Sequence, residues 1–488
     1  MKPRKLRTSR SAVAVLASGA CLVTACSAGN GPGPGQPASS SGPAATATAP
    51  TGSVPAGGRV STAPPGTEVS GTLSNGTAWV AEYPAGWNGT LILYSHGYGP
   101  LTAADAPDPV TQQALLGRGY ALAGSSYDPS GSEWALNTAV SDQFGTLAAV
   151  GSTVLPHKPA HVIAFGSSMG GLVSALEAEQ GQGRIDGALT TCGVVAGGVN
   201  LDGYQLDGEY AITQLVGDPA TPLVRLNDRT AKSSAAALTA AAGNAQSTPA
   251  GRARLALAMA FLNLPTWQPN APAPAPYGQP AAAEAAQYQA LTSGPYTAID
   301  FMMDGRLSIE QSAGGQPVAN AGANFAQALA NSPYRAEVAS LYRAAGLNLT
   351  ADLAALTAHA TTKADPAALA KLRATSSPTG KLTVPELDLH TIGDNLVPVQ
   401  QENSYAQLVG QAGGSLLRQA YTGTAGHCDF SVSEQVAGIE AVLQRVTTGQ
   451  WGNVATAASL QQAASALQLG PARFRSYTPD GLTGAAPG

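Results

Sequence analysis

Short apolar runs of strand length alternate with segments of helical spacing along much of the chain. Val69–Leu73 and Ala78–Tyr83 are β-rich and are separated by Asn75-Gly76, a strong hairpin signal. Thr90–Ser95, Tyr120–Gly124, His161–Gly166 and Gly187–Val195 are near-continuous apolar runs, the pattern of strands buried on both faces. Between them, Val110–Leu116, residues 138–154 and Leu172–Gln180 carry helical spacing. This alternation predicts an α/β fold with a mostly parallel central sheet flanked by helices. From residue 200 the pattern turns Ala-rich and helical, as in Thr230–Ala242, Ala250–Leu262 and Ala336–Ala345, with a Pro-rich break over Pro265–Pro280. Strand character resumes at Leu387–Thr391, a helix follows over 399–410, and a last strand, Leu416–Tyr421, precedes a helix over Val432–Val446. Two stretches of core, 67–199 and 381–450, therefore flank a helical insertion over 200–380. Residues 451–488 read as a tail with one helix near 454–467.

The N-terminus has a different character. A basic stretch to Arg10 precedes the apolar run Ala12–Ala20, and small residues follow, so residues 1–26 read as a secretory signal. The apolar run is too short for a transmembrane helix, which needs about 20 residues. Val23-Thr24-Ala25-Cys26 resembles a bacterial lipobox, and the resemblance implies a lipid on Cys26 and attachment to the outer face of the bacterial cell membrane. An ordinary cleaved signal with release is the alternative. Residues 27–66 are almost wholly Gly, Pro, Ala, Ser and Thr, the composition of a flexible linker.

Charge removes one class of function. Of the 25 basic residues five lie in the first 26, which hold no acid, leaving 20 bases against 30 acids and a net charge of −10 beyond the signal. Non-specific nucleic-acid binding rests on basic patches, so nucleic acid is not an expected partner. Beyond the signal and Cys26, two cysteines remain, Cys192 and Cys428. In an oxidising compartment two such cysteines most simply pair, the alternative being two buried free thiols.

The third buried run leads directly into Gly166-Ser167-Ser168-Met169-Gly170-Gly171 and then a helix. Gly-x-Ser-x-Gly alone is weak in a chain with 57 glycines, but strand, motif and helix together form a nucleophile elbow. Here the chain resembles the α/β-hydrolase superfamily. That resemblance implies a triad in the order Ser, acid, His, each near the end of a strand. Ile392-Gly393-Asp394 follows a strand and Gly426-His427-Cys428 follows the last one, so the triad implied is Ser168, Asp394 and His427. The rival acids are Asp388, inside the strand, and Asp429, too close to His427 in sequence to orient it well. Oxyanion donors implied are the backbone N–H of Met169 and, from the turn Ser95-His96-Gly97-Tyr98-Gly99, that of Tyr98, with Gly97 as the alternative. His96 is expected to be structural. No His/Cys cluster has metal-ligand spacing and no dinucleotide fingerprint is present, so neither metal nor cofactor is expected.

Cys428 beside His427 resembles tannase- and feruloyl-esterase-like hydrolases, in which a disulfide ties that Cys to one beside the Ser. Ser167 occupies the latter position here, so the resemblance is partial. A Cys192–Cys428 bridge would still clamp the histidine loop onto the sheet. The insertion after that strand implies a cap over the site, whose apolar residues (Leu215, Phe261, Leu262, Trp267, Phe301, Met302, Met303) read as cap core before pocket lining. The expected function is an extracytoplasmic serine carboxylesterase acting on an apolar or aromatic small-molecule ester. The alternatives are a serine aminopeptidase, for which Asp304 and Glu310 could bind an amino group, and a catalytically inactive ligand-binding lipoprotein.

Overall fold

The computed structural model describes residues 64–484 apart from 270, 275–277 and 295. The expected signal, Cys26 and nearly all of the expected linker lie outside the described residues. Strands β1 (Val69–Thr72) and β2 (Ala78–Glu82) form an antiparallel hairpin whose turn places Gly76 at φ 93°. Strands β3 (Thr90–Ser95), β4 (Ala121–Ser125), β5 (His161–Ser167), β6 (Gly187–Thr191), β7 (Glu386–Gly393) and β8 (Leu417–Ala425) run parallel to one another. A two-residue strand, β9 (Phe474–Arg475), lies antiparallel on β8. The sheet order is β1-β2-β4-β3-β5-β6-β7-β8-β9, the mostly parallel α/β sheet expected. Every position of β3, β4 and β6 is buried, as coverage on both faces requires.

Helices α1 (Pro109–Gly117), α2 (Ala139–Thr153) and α3 (Met169–Gln180) connect β3 to β6. The insertion between β6 and β7 holds α4 (Gly198–Leu215), α5 (Asp228–Ala245), α6 (Pro249–Phe261), α7 (Pro280–Thr292) and α8 (Ala298–Ala313), then α9 (Phe325–Asn331), α10 (Arg335–Ala344), α11 (Leu349–His359) and α12 (Pro366–Ser376). Helix α13 (Gln400–Gln411) joins β7 to β8, and α14 (Val432–Thr448) and α15 (Ala457–Leu467) follow. One sheet face packs Ile92 and Phe165 against Leu115 of α1, Val436 and Ile439 of α14 and Leu460 of α15. The other packs Leu91 and Ala164 against Phe144 and Val150 of α2 and Ala178 of α3. The two faces arise because the connection from β3 leads to β4 on one side, while that from β5 leads to β6 on the other. Such a reversal opens a crevice outside the carboxyl ends of β3 and β5.

The segment after residue 450 is more than a tail. Trp451, Leu460, Ala464 and Phe474 are buried in the sheet core, and the Trp451 indole N–H donates to Leu416 O at 3.0 Å. Farther on, Asn403 Nδ2 donates to Pro479 O at 3.0 Å, and Asn263 and Thr483 exchange two hydrogen bonds of 2.7 Å. The chain end therefore joins α13 to the helical insertion.

Candidate active site

Strand β5 ends at Ser167 and α3 begins at Met169, so Ser168 must turn the chain within one residue. It does so at φ 59°, ψ −120°, a conformation that costs a non-glycine residue about 1–3 kcal/mol. Both motif glycines are sterically required. A Cβ on Gly166 would lie 1.9 Å from Gly170 O, and one on Gly170 would lie 1.9 Å from Ser95 O. The strain holds the Ser168 hydroxyl up from the sheet end, where the residue is 9% exposed.

The crevice brings three distant residues together. His427 Nε2 lies 2.8 Å from Ser168 Oγ, and His427 Nδ1 lies 2.8 Å from Asp394 Oδ2. Asp394 is fully buried in the turn after β7, and its other oxygen accepts the backbone N–H groups of Leu396 and Val397, both at 2.9 Å. The acid and histidine loops are tied together, Gly426 N donating to Gly393 O at 3.0 Å and Thr391 Oγ1 to Gly426 O at 2.8 Å. Neither rival acid is available. Asp388 is buried within the sheet and accepts the Thr190 hydroxyl; burial and then the adjacent Glu386 carboxylate raise its pKa well above the usual range. Asp429 accepts from Arg473 Nη1 at 2.9 Å and from the Thr424 hydroxyl at 2.6 Å.

As first residue of α3, Met169 presents a backbone N–H that has no acceptor within the helix. The turn after β3 closes over the serine: a Cβ on Gly97 would lie 3.3 Å from Ser168 Cβ and 3.8 Å from Oγ. Tyr98 stands beside it, its hydroxyl 3.0 Å from Ser308 Oγ of α8, and burial pushes this phenol up to about 12. His96 is structural in its contacts. Its ring stacks on Tyr127 with centroids 4.2 Å apart and Nδ1 faces Gly97 O at 2.8 Å, while burial lowers its pKa.

A disulfide joins Cys192, directly after β6, to Cys428, with Cα atoms 5.3 Å apart. Both cysteines have positive φ, 47° and 55°. The departure at Ser167 has a simple spatial account. Ser167 pairs in register with Thr191 and its hydroxyl bonds that of Thr191 at 2.8 Å, so the bridge leaves the neighbouring strand one residue farther on. Sulfur and ring nitrogen atoms of Cys192, Cys428 and His427 lie within 4.8 Å, but sulfurs bonded to each other are not free thiolate ligands.

A cavity of about 610 Å³ opens over Ser168 and His427. Tyr98, Tyr296, Phe301 and Phe430 supply its aromatic walls and Asp108 and Glu133 its carboxylates; none of its described lining residues is Lys or Arg. Phe301 is thus pocket lining, packed edge-on against Tyr98 at 5.7 Å, whereas Phe261, Leu262, Met302 and Met303 are buried in the core of the insertion. Of the two acids considered for an amino group, Asp304 accepts the Tyr296 hydroxyl at 3.0 Å beside the cavity. Glu310 instead accepts the backbone N–H groups of Arg225 and Leu226 at 2.6 and 2.7 Å. Sequence reading passed over Tyr296 and Glu133; nothing in their local pattern distinguishes them from surface residues.

No protein-family model matches the chain. An o-phthalyl amidase from Xanthobacter agilis is 29% identical over 417 residues, covering 79% of this chain and 88% of the amidase. Among solved structures, feruloyl esterase B from Aspergillus oryzae is 14% identical, covers 78% of this chain and 81% of its own, and has a TM-score of 0.37. An esterase of Pyrococcus furiosus is 12% identical, with coverages of 79% and 91% and a TM-score of 0.37. Both structural likenesses are weak.

Proposed function

From the mostly parallel α/β sheet and the strained turn at Ser168, we propose that the chain has the α/β-hydrolase fold and is a serine hydrolase cleaving small carboxylic esters and amides through an acyl-enzyme on Ser168. The observation that carries the proposal is the unbroken run from Ser168 Oγ through His427 to Asp394, two contacts of 2.8 Å. A serine hydroxyl is a weak nucleophile unless a base takes its proton during attack, and imidazole is the side chain suited to that near neutrality. In this reading His427 removes the proton through Nε2 and returns it to the leaving alcohol or amine. Asp394 accepts the Nδ1 proton, fixing the tautomer and stabilising the imidazolium. The N–H of Met169, with that of Tyr98 or Gly97, receives the developing oxyanion; such donors are worth about 3–4 kcal/mol each in other enzymes. Water then attacks the acyl-enzyme by the reverse proton path.

The aromatic walls and the two carboxylates, with no Lys or Arg among the described lining, favour a neutral aromatic or apolar acyl group. Amide cleavage enters through the amidase relative, whose name describes action on an amide. Wild type and Ser168→Ala are compared on p-nitrophenyl acetate, butyrate and octanoate and on aromatic acyl anilides. Ester turnover abolished by the substitution supports the reading, and anilide turnover extends it to amides. Turnover that survives Ser168→Ala contradicts it.

We also propose, from the lipobox-like segment Val23-Thr24-Ala25-Cys26, that the protein lies outside the cytoplasm, tethered through lipid on Cys26. Cys26→Ala is expected to move the protein from the membrane fraction to the medium. Membrane association unchanged by Cys26→Ala would overturn the tether.

A further inference from the structure

Behind the candidate acid lies a second histidine for which the proposed chemistry has no role. His390, the fifth residue of β7, is fully buried. Its Nδ1 lies 2.8 Å from Glu402 Oε1 of α13 and its Nε2 lies 2.8 Å from Val397 O, so each ring nitrogen faces an acceptor. A neutral imidazole has one N–H and cannot satisfy both. Glu402 is well supplied as a carboxylate, its second oxygen accepting Gln419 Nε2 at 2.5 Å. The ring Nε2 also lies 3.6 Å from Asp394 Oδ2, the oxygen that faces His427. Val397 is part of the same turn, for its own N–H donates to Asp394 Oδ1.

The geometry points to His390 as a positioning residue: a buried imidazolium, held by Glu402, that grips the Asp394 turn and sets a positive charge beside the acid. This rests on the Ser168–His427–Asp394 reading above. Burial lowers the pKa of the His390 ring, but the Glu402 and Asp394 carboxylates more than offset it and leave it raised. The titratable groups around the pair are Glu386 and Asp388 on β7, Glu402 and Tyr405 on α13, Tyr421 on β8, Tyr204 on α4 and Asp394 itself. All of these are acidic, and beyond Asp394 stands a second base, His427. A run of contacts thus extends from Gln419 on β8 through Glu402 and His390 to Asp394, His427 and Ser168.

The consequence is a specific pH effect. The His390 charge lies within about 6 Å of the His427 ring, close enough for a through-protein Coulomb interaction to bear on the pH dependence of turnover. In His390→Gln the acid limb of kcat/KM is expected to move up by about one unit. Activity near pH 6 then falls about tenfold, while that near pH 9 and KM change little. Glu402→Gln, which leaves the imidazole neutral, is expected to move the limb the same way by less. A purely structural role would lower activity equally at all pH, and that outcome overturns the proposal. Wild-type protein labelled with 15N-histidine supplies a readout independent of folding of the variants and of turnover. Two protonated ring nitrogens on His390 at pH 8 are expected, and a neutral tautomer there overturns the proposal. Absence of ester turnover in wild type would instead count against the hydrolase reading, and the nitrogen spectrum would still decide the state of His390.

Discussion

Removing the Cys192–Cys428 bridge should damage catalysis more than stability. The bridge spans 236 residues of sequence, and the chain-entropy model then gives an upper figure of about 5 kcal/mol for its constraint on the unfolded chain. Measured bridges deliver about 2–4 kcal/mol. Spread over the unfolding entropy of roughly 420 folded residues, that is a fall of only about 2–5 °C in Tm. The local effect is larger in proportion. Cys428 adjoins His427 and is held at φ 55°, so the bridge fixes the backbone that aims the imidazole at Ser168. The loop is also held on its near side by Gly426, bonded to Gly393 and Thr391, and on its far side by Asp429, bonded to Arg473 at 2.9 Å and to Thr424 at 2.6 Å. A displacement of about 1 Å in a catalytic group can cost a hundredfold in rate. The Cys192→Ala/Cys428→Ala variant is therefore expected to lose ten- to a hundredfold in kcat on p-nitrophenyl butyrate, with a smaller change in KM. Thermal unfolding by circular dichroism measures the stability side on the same samples. A variant with wild-type kcat and a lowered Tm would refute the reasoning, because it would make the bridge a staple of the fold alone.

Three further outcomes follow from the site and core. Gly170→Ala forces a methyl against the carbonyl of Ser95, and a loss of about 3 kcal/mol or more in unfolding free energy is expected, read as a lowered urea midpoint; a neutral substitution would contradict the elbow geometry. Burial raises the carboxyl pKa of Glu177 and Asp388 well above the ordinary range and that of Glu386 to about 8. Raised groups hold protons in the folded state, so their stabilisation is complete below the unfolded values near 4 and is lost as pH rises through the folded ones. Tm is therefore expected to fall between pH 5 and pH 9, less steeply in Glu177→Gln, and a Tm that rises across this range would contradict the burial argument. Glu133→Gln should raise kcat/KM for an acyl group carrying a carboxylate a fewfold at low salt and less at high salt; no change would remove Glu133 from substrate selection.

The parts of the fold visible in sequence are those built on local contrast. β3 and β5 read as apolar runs because sheets covered on both faces leave no polar alternation, and the elbow is legible because only glycines fit beside Ser168. The segment after residue 450 was not legible as core. Strand β9 is two residues long, too short for any periodicity, and its place depends on pairing with β8. Phe301 and Met302 are neighbours in sequence with opposite fates, one in the cavity and one in the core of the insertion. Helical spacing cannot separate them without knowing which face of α8 meets the cavity and which the other helices. Arg306 of α8 is fully buried against Asp202 and Glu209 of α4, pairs about 100 residues apart in sequence that nothing local announces. His390 carries a local signal of its own: with Glu386 and Asp388 it is one of three ionisable residues in a buried strand, and such groups require partners.

The central claim is that Ser168 is the nucleophile and His427 its base. The most direct measurement is peptide mapping by mass spectrometry after reaction with a fluorophosphonate, on wild type and on His427→Ala. The account predicts a single adduct on the peptide carrying Ser168, at a rate that falls at least a hundredfold in His427→Ala. Labelling of any other residue, or labelling of Ser168 at an unchanged rate without His427, would contradict it.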